Sequence, residues 1–197
     1  MKGHFLHGAM CSLCAAIVVS FAGCSGGTVR LLDLNGEWIE FLPDERAAAT
    51  VCIFARTDCP ISNRYAPEIR RLYDAYHGQG VQFCLIYVDP SQESGEIRTH
   101  LQEYSYPCRA YCDPNHDLVQ LTGATVTPEA VLFDRKRRLV YRGRIDDMYV
   151  DFGKSRSVPT RHDLADAIQA VLDGTKIVEA ETKAVGCYIG DLREVQN

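Results

Sequence analysis

Phe54-Ala55-Arg56-Thr57-Asp58-Cys59-Pro60-Ile61-Ser62 marks the point where an apolar run stops and an amphipathic helical pattern starts. A thiol at the N-terminus of a helix feels the positive end of the backbone dipole and several unpaired N–H donors, and both favour the thiolate. That is the form that attacks disulfides and peroxides and ligates soft metals. The motif is C-P-I-S: the first cysteine of a C-x-x-C redox pair is present, and Ser62 stands in place of the second. The serine hydroxyl is a donor suited to stabilising an ionised sulfur. Arg56 and Arg64 are the nearest cations in sequence, and Asp58 opposes them.

Upstream of the motif, Ala48 to Ala55 is a continuous apolar run of strand length, as expected for a central strand covered on both faces. Val29 to Phe41 alternates around Asn35-Gly36, a hairpin signal. Downstream, Tyr65, Ile69, Leu72, Tyr73 and Tyr76 recur with helical spacing, so a helix is expected over 62–77, ended by Gly78 or Gly80. Val81 to Val88 reads as a second buried strand, Glu96 to Tyr104 as a helix, Arg109 to Cys112 as a short strand and Pro114 to Leu121 as a helix. Glu129 to Phe133 and Leu139 to Tyr141 read as a hairpin across Asp134–Arg138, with the Arg135-Lys136-Arg137-Arg138 cluster on the solvated turn. Arg161 to Leu172 is a final amphipathic helix, and the tail from Lys176 has weak periodicity suited to wrapping the surface. This order specifies an α/β layered fold with a mixed central β-sheet flanked by helices.

With 197 residues, 46% of them apolar, the chain has enough for one domain with a core plus appendages. A net charge of −5 shows no basic footprint, so no nucleic-acid partner is expected. Residues 1–23 read as a signal peptide: Lys2 supplies a basic start, Ala9 to Phe21 is largely apolar, and small residues precede Cys24. Cysteine after small residues resembles the bacterial lipoprotein box, which would put a lipid on Cys24 and anchor the exported protein to a membrane. Residues 24–28 form a tether, 29–174 the domain and 175–197 a C-terminal tail. Beyond the leader and Cys24 remain Cys52, Cys59, Cys84, Cys108, Cys112 and Cys187. Their irregular spacing suggests a mixture of reactive thiols and buried small hydrophobes rather than a disulfide framework. Cys52 and Cys84 fall inside apolar strands and read as core residues.

Four features together resemble the thioredoxin-like superfamily, in particular its secreted redoxin branch of thiol-disulfide oxidoreductases and peroxiredoxins. Phe54 precedes Cys59 as the buried strand aromatic does in that branch, and Pro67 falls where the active-site helix commonly carries a proline. Val126-Thr127-Pro128 matches the segment that sets a cis-proline beside the reactive cysteine, and Thr127 to Asp134 with Tyr141-Arg142-Gly143 matches the closing hairpin. The resemblance implies a thioredoxin-like three-layer fold over 29–174. It also implies catalysis by Cys59 with Ser62, Thr127 and Pro128, and no cofactor, because sulfur itself carries the electrons. The implied partners are a cysteine-containing protein or a small thiol or disulfide, together with an external reductant. The backbone of Thr127 is then expected to pair with an incoming peptide in strand-like fashion. Ile53 replaces the carboxylate that thioredoxins often bury, and Arg56 stands where peroxiredoxins of this branch carry threonine, with Thr57 one place late.

A second thiol has three candidate sources. The Gly186-Cys187 tail resembles the tails of some redoxin-like sequences, which implies that Cys187 resolves Cys59. Cys108 and Cys112, a C-x-x-x-C pair, admit a disulfide of their own, a soft-metal site with His116, or no pairing. Two function classes follow: an extracytoplasmic thiol-disulfide oxidoreductase, with thiol peroxidase as its variant, or a copper- or client-binding module without turnover.

Overall fold

The computed structural model describes residues 28–190. Residues 1–27, which hold the stretch read as a leader with a lipoprotein box ending at Cys24, and residues 191–197 lie outside the described residues. In chain order the strands are β1 (Arg30–Asp33), β2 (Trp38–Glu40), β3 (Ala49–Ala55), β4 (Val81–Tyr87), β5 (Arg109–Cys112), β6 (Val126–Thr127), β7 (Glu129–Asp134), β8 (Leu139–Gly143), β9 (Tyr149–Asp151), β10 (Lys154–Ser155) and β11 (Cys187–Tyr188). The helices are α1 (Pro60–Arg64), α2 (Ala66–Tyr76), α3 (Ser94–Glu103), α4 (Asp117–Thr122) and α5 (Asp163–Leu172).

Seven strands form one mixed sheet in the order β2-β1-β5-β4-β3-β7-β8. All seven residues of β3 are buried, and the strand takes β4 as a parallel partner on one edge and β7 as an antiparallel partner on the other. Because strand side chains alternate, β3 feeds two cores. Val51, Ile53 and Ala55 pack under α1, α2, α3 and α5, whereas Cys52 and Phe54 face α4 and the β1–β2 hairpin. The sheet is therefore covered on both sides, which explains why β3 and β4 carry no polar stripe.

Local chemistry sets the element ends. Asp33 closes the β1–β2 turn by accepting the N–H groups of Asn35 and Glu37, each at 2.8 Å. Asp113 accepts three N–H groups from the start of α4, those of Asp117, Leu118 and Val119, at 2.8–3.0 Å. Helix α4 thus begins three residues later than the expected Pro114. The basic cluster turns around Asp134, whose carboxylate accepts the N–H of Lys136 and pairs with Arg138, while Arg137 pairs with Glu45. The single helix expected over 62–77 is divided: it starts at Pro60 and breaks at Tyr65, which ends α1 and precedes α2. Pro67 has no N–H to give, so it is accommodated only in the first turn of a new helix.

The tail departs most from expectation. It does not merely wrap the surface; it adds backbone pairing at two places. Arg142 N–H donates to Ala180 O and Thr182 N–H donates to Arg142 O, beside β8. Farther on, β11 pairs antiparallel with β6, with Cys187 opposite Thr127 and Tyr188 opposite Val126.

Candidate active site

Strand β3 ends at Ala55 and delivers Cys59 to the start of α1, where the cysteine is the N-cap with extended backbone. Its sulfur lies 3.5 Å from the Ser62 N–H, the bond a capping side chain makes, and its side chain is 1% exposed. Burial opposes ionisation of Cys59. The hydrogen bonds from Cys187 and from the Ser62 N–H outweigh it, and its pKa lies below the ordinary thiol value. Arg56 contributes little to this, because its guanidinium is committed to Asp58 and Asp89 at 2.9 and 3.2 Å. The expected stabilisation of the thiolate by nearby cations is thus replaced by stabilisation through hydrogen-bond donors.

Ser62 is buried beside the thiol, and its hydroxyl has no hydrogen-bond partner. That leaves one donor in reserve next to the sulfur. Across the site, the Thr127–Pro128 peptide is cis, and the Thr127 carbonyl lies 3.0 Å from Cys59 Sγ, where it accepts from the protonated thiol. Glu129 fixes this segment from behind by accepting the N–H groups of Thr125 and Val126 at 2.7 and 3.3 Å.

The tail completes the site. Cys187 Sγ stands 2.8 Å from Cys59 Sγ, with both thiols free. Its pKa is pushed up to about 12, first by burial and then by its hydrogen bond to Cys59. The pair is therefore polarised: Cys59 loses its proton more readily, while Cys187 keeps its own and donates a hydrogen bond toward Cys59 Sγ. A disulfide bond is about 2.05 Å long, so less than 1 Å of approach separates the two sulfurs from a bond. Gly186 permits this docking, because a β-carbon there would fall inside the van der Waals surface of the Thr127 carbonyl oxygen.

A polar chain that the sequence did not reveal supports the loop in front of Cys59. Asn63 donates to Thr57 O at 3.0 Å and bonds to His100 Nε2 at 2.8 Å, and His100 Nδ1 meets the Tyr87 hydroxyl at 2.8 Å. Burial lowers the His100 pKa and keeps the ring neutral, as a tautomer bridging an amide and a phenol requires. The only advance signal was Asn63 and His100 occurring on helices that pack toward one strand end.

The other cysteines lie elsewhere. Cys108 and Cys112 flank an extended segment that spans roughly 13 Å at about 3.3 Å per residue, beyond the Cα separation a disulfide allows, and both thiols are free. The pairing considered for them is therefore corrected. The soft-metal alternative with His116 fares no better: His116 is buried and bonded to Val88 O at 2.7 Å. Among the described residues, the one group of three side chains with metal-ligand spacing is instead Glu68, Asp146 and His162.

A family model described as AhpC/TSA matches residues 13–142, well over half of the chain. The chain belongs to the AhpC/TSA family. Comparison with curated proteins gave no match. Among solved structures, a hypothetical protein of Sinorhizobium meliloti is 27% identical with a TM-score of 0.70, over 83% of this chain and 91% of that one. An uncharacterised conserved protein of Geobacillus kaustophilus is 25% identical with a TM-score of 0.71, over 84% and 89%. The thioredoxin domain of a thiol-disulfide oxidoreductase from Bacteroides vulgatus shares the fold at 16% identity and a TM-score of 0.50, over 59% and 86%. This redoxin thus has the thioredoxin-like architecture its sequence resembles, with a mixed seven-stranded sheet between helices.

Proposed function

We propose that this redoxin is a two-cysteine thiol oxidoreductase in which Cys59 reacts with the oxidant and Cys187 resolves it. The observation that carries this reading is the 2.8 Å approach of Cys187 to Cys59 on a tail strand paired with Thr127. With a disulfide substrate, Cys59 thiolate attacks one sulfur, forms a mixed disulfide and releases the other sulfur as a thiol. Cys187 then attacks Cys59 Sγ, the Cys59–Cys187 disulfide forms, and the second substrate thiol leaves. An external dithiol returns two electrons and two protons to the pair.

A second oxidant, a small hydroperoxide, is favoured by one further observation. The edge of β6 that would pair with a peptide client is occupied by β11, and Cys59 is buried. A peroxide needs no strand edge: the thiolate takes one oxygen as sulfenic acid, the alcohol or water leaves, and Cys187 converts the sulfenic acid to disulfide with loss of water. An exported, membrane-tethered setting is supported by the leader and by Cys24 at its end.

Non-reducing peptide mapping of the full chain after one equivalent of hydroperoxide or of a small disulfide tests the proposal. The expected product is a Cys59–Cys187 linkage. Cys59 recovered as sulfenic acid or as a persistent adduct, with Cys187 still free, would show that the tail does not resolve it.

A further inference from the structure

On the far side of the helix junction, Tyr65 leads from the thiol site to a second cluster of polar groups. Its hydroxyl donates to Asp146 Oδ1 at 2.6 Å, and the Met148 N–H donates to the same oxygen at 2.9 Å. The other carboxylate oxygen of Asp146, Oδ2, is buried with no hydrogen-bond partner, in a residue 1% exposed. A carboxylate oxygen withdrawn from water without a donor calls for a partner. Two further groups stand around it. Glu68, in the first turn of α2, and His162, directly before α5, offer ligand atoms that lie with one from Asp146 within 4.8 Å of one another.

We propose that Glu68, Asp146 and His162 bind a divalent first-row cation such as Mn2+. The donor set is two carboxylates and an imidazole with no thiolate, which suits a cation of this hardness and not Cu(I). Three ligand atoms at about 2.0–2.2 Å from one ion stand at most roughly 3.8 Å from one another. A spacing within 4.8 Å therefore closes with about an ångström of side-chain movement or less, which exposed His162 and partly exposed Glu68 can supply. Arg71 holds both Glu68 oxygens, at 2.6 and 2.7 Å. Each carboxylate oxygen has a second lone pair, so Glu68 ligates without giving up both of those bonds. The exposure of His162 leaves an entry path from solvent. The three ligands come from α2, the loop after β8 and the residue preceding α5, so the cation clamps elements far apart in sequence at the point where the active-site helix is broken.

Electron paramagnetic resonance of Mn2+ titrated with the full chain tests the site, since thiols compete poorly for this ion. The expected result is loss of the free-ion signal to one equivalent. Asp146→Asn and His162→Ala should each weaken binding at least tenfold, whereas Cys59→Ser leaves it unchanged. His162 is exposed, so that variant reports on ligation without the risk of unfolding the core. Persistence of the free-ion signal at millimolar protein, or unchanged binding by His162→Ala, overturns the proposal. Neither result bears on the thiol chemistry.

Discussion

Among the described residues two pairs of cysteines meet, and only one has the surroundings of a redox pair. Cys52 and Cys84 sit opposite each other on the central strands β3 and β4, with sulfurs 3.2 Å apart. Cys59 and Cys187 approach to 2.8 Å at the rim. Distance hardly separates them; environment does. Around Cys84 the neighbours are strand backbone and apolar side chains, and its thiol is pushed well above the ordinary value by the Cys52 contact and by burial. Around Cys59 a helix begins, and donors from Ser62 and Cys187 hold its thiol below that value. The comparison teaches that proximity makes a disulfide possible, whereas a helix start and a half-exposed partner thiol make it usable.

Replacing the sulfur that ionises should break the contrast most severely. Cys59→Ser is expected to lower hydroperoxide or disulfide turnover, measured with dithiothreitol as reductant, by roughly a thousandfold or more, because the nucleophile is gone. Cys187→Ser should cost about ten- to a hundredfold in the same assay, with Cys59 accumulating as an adduct or sulfenic acid visible by intact-mass spectrometry. Gly186→Ala leaves both sulfurs in place and moves the strand that carries one. Closure of the Cys59–Cys187 bond, followed by quenched-flow alkylation, should slow by roughly tenfold, since a full ångström of misplacement can cost about a hundredfold and the tail strand can absorb part of the shift.

The pH dependence sharpens the same contrast. Cys59 has a lowered pKa, so its alkylation rate should already be level at the ordinary thiol pKa and fall only as pH drops through the lowered value. Cys187, raised to about 12, should react faster with every step of pH up to that range. Part of that rise comes from the hydrogen bond to Cys59, so Cys59→Ser should bring the Cys187 profile down toward an ordinary thiol. A Cys187 profile indifferent to Cys59→Ser would break the coupling argued here. The smallest effect belongs to the inner pair. Cys84→Ala should change turnover less than twofold and cost about 1 kcal/mol in denaturant unfolding.

Much of this was legible from residue order. Continuous apolar runs at Ala49–Ala55 and Val81–Tyr87 mark central strands because both faces are covered, and helical spacing after Cys59 marks the active-site helices. Cys59, Ser62, Thr127 and Pro128 could be singled out because each belongs to a short motif. What remained hidden depends on tertiary partners. The β9–β10 hairpin is mostly exposed and has no apolar alternation to announce it. The break at Tyr65 follows from a proline, but the Asp146 carboxylate that receives the Tyr65 hydroxyl lies 81 residues away. The need of Gly186 for no side chain appears only beside the Thr127 carbonyl.

The tail strand also changes who can compete for the site. Thr182 is anchored to Arg142 just ahead of the docked strand, leaving only Lys183 to Gly186 as a leash for Cys187. A tether that short holds its end at an effective concentration of millimolar or more. Any free strand seeking the same edge must outbid that concentration or wait for the leash to release. The protein thus carries its own resident competitor, and a reagent arriving from solvent meets the half-buried Cys187 before it meets Cys59.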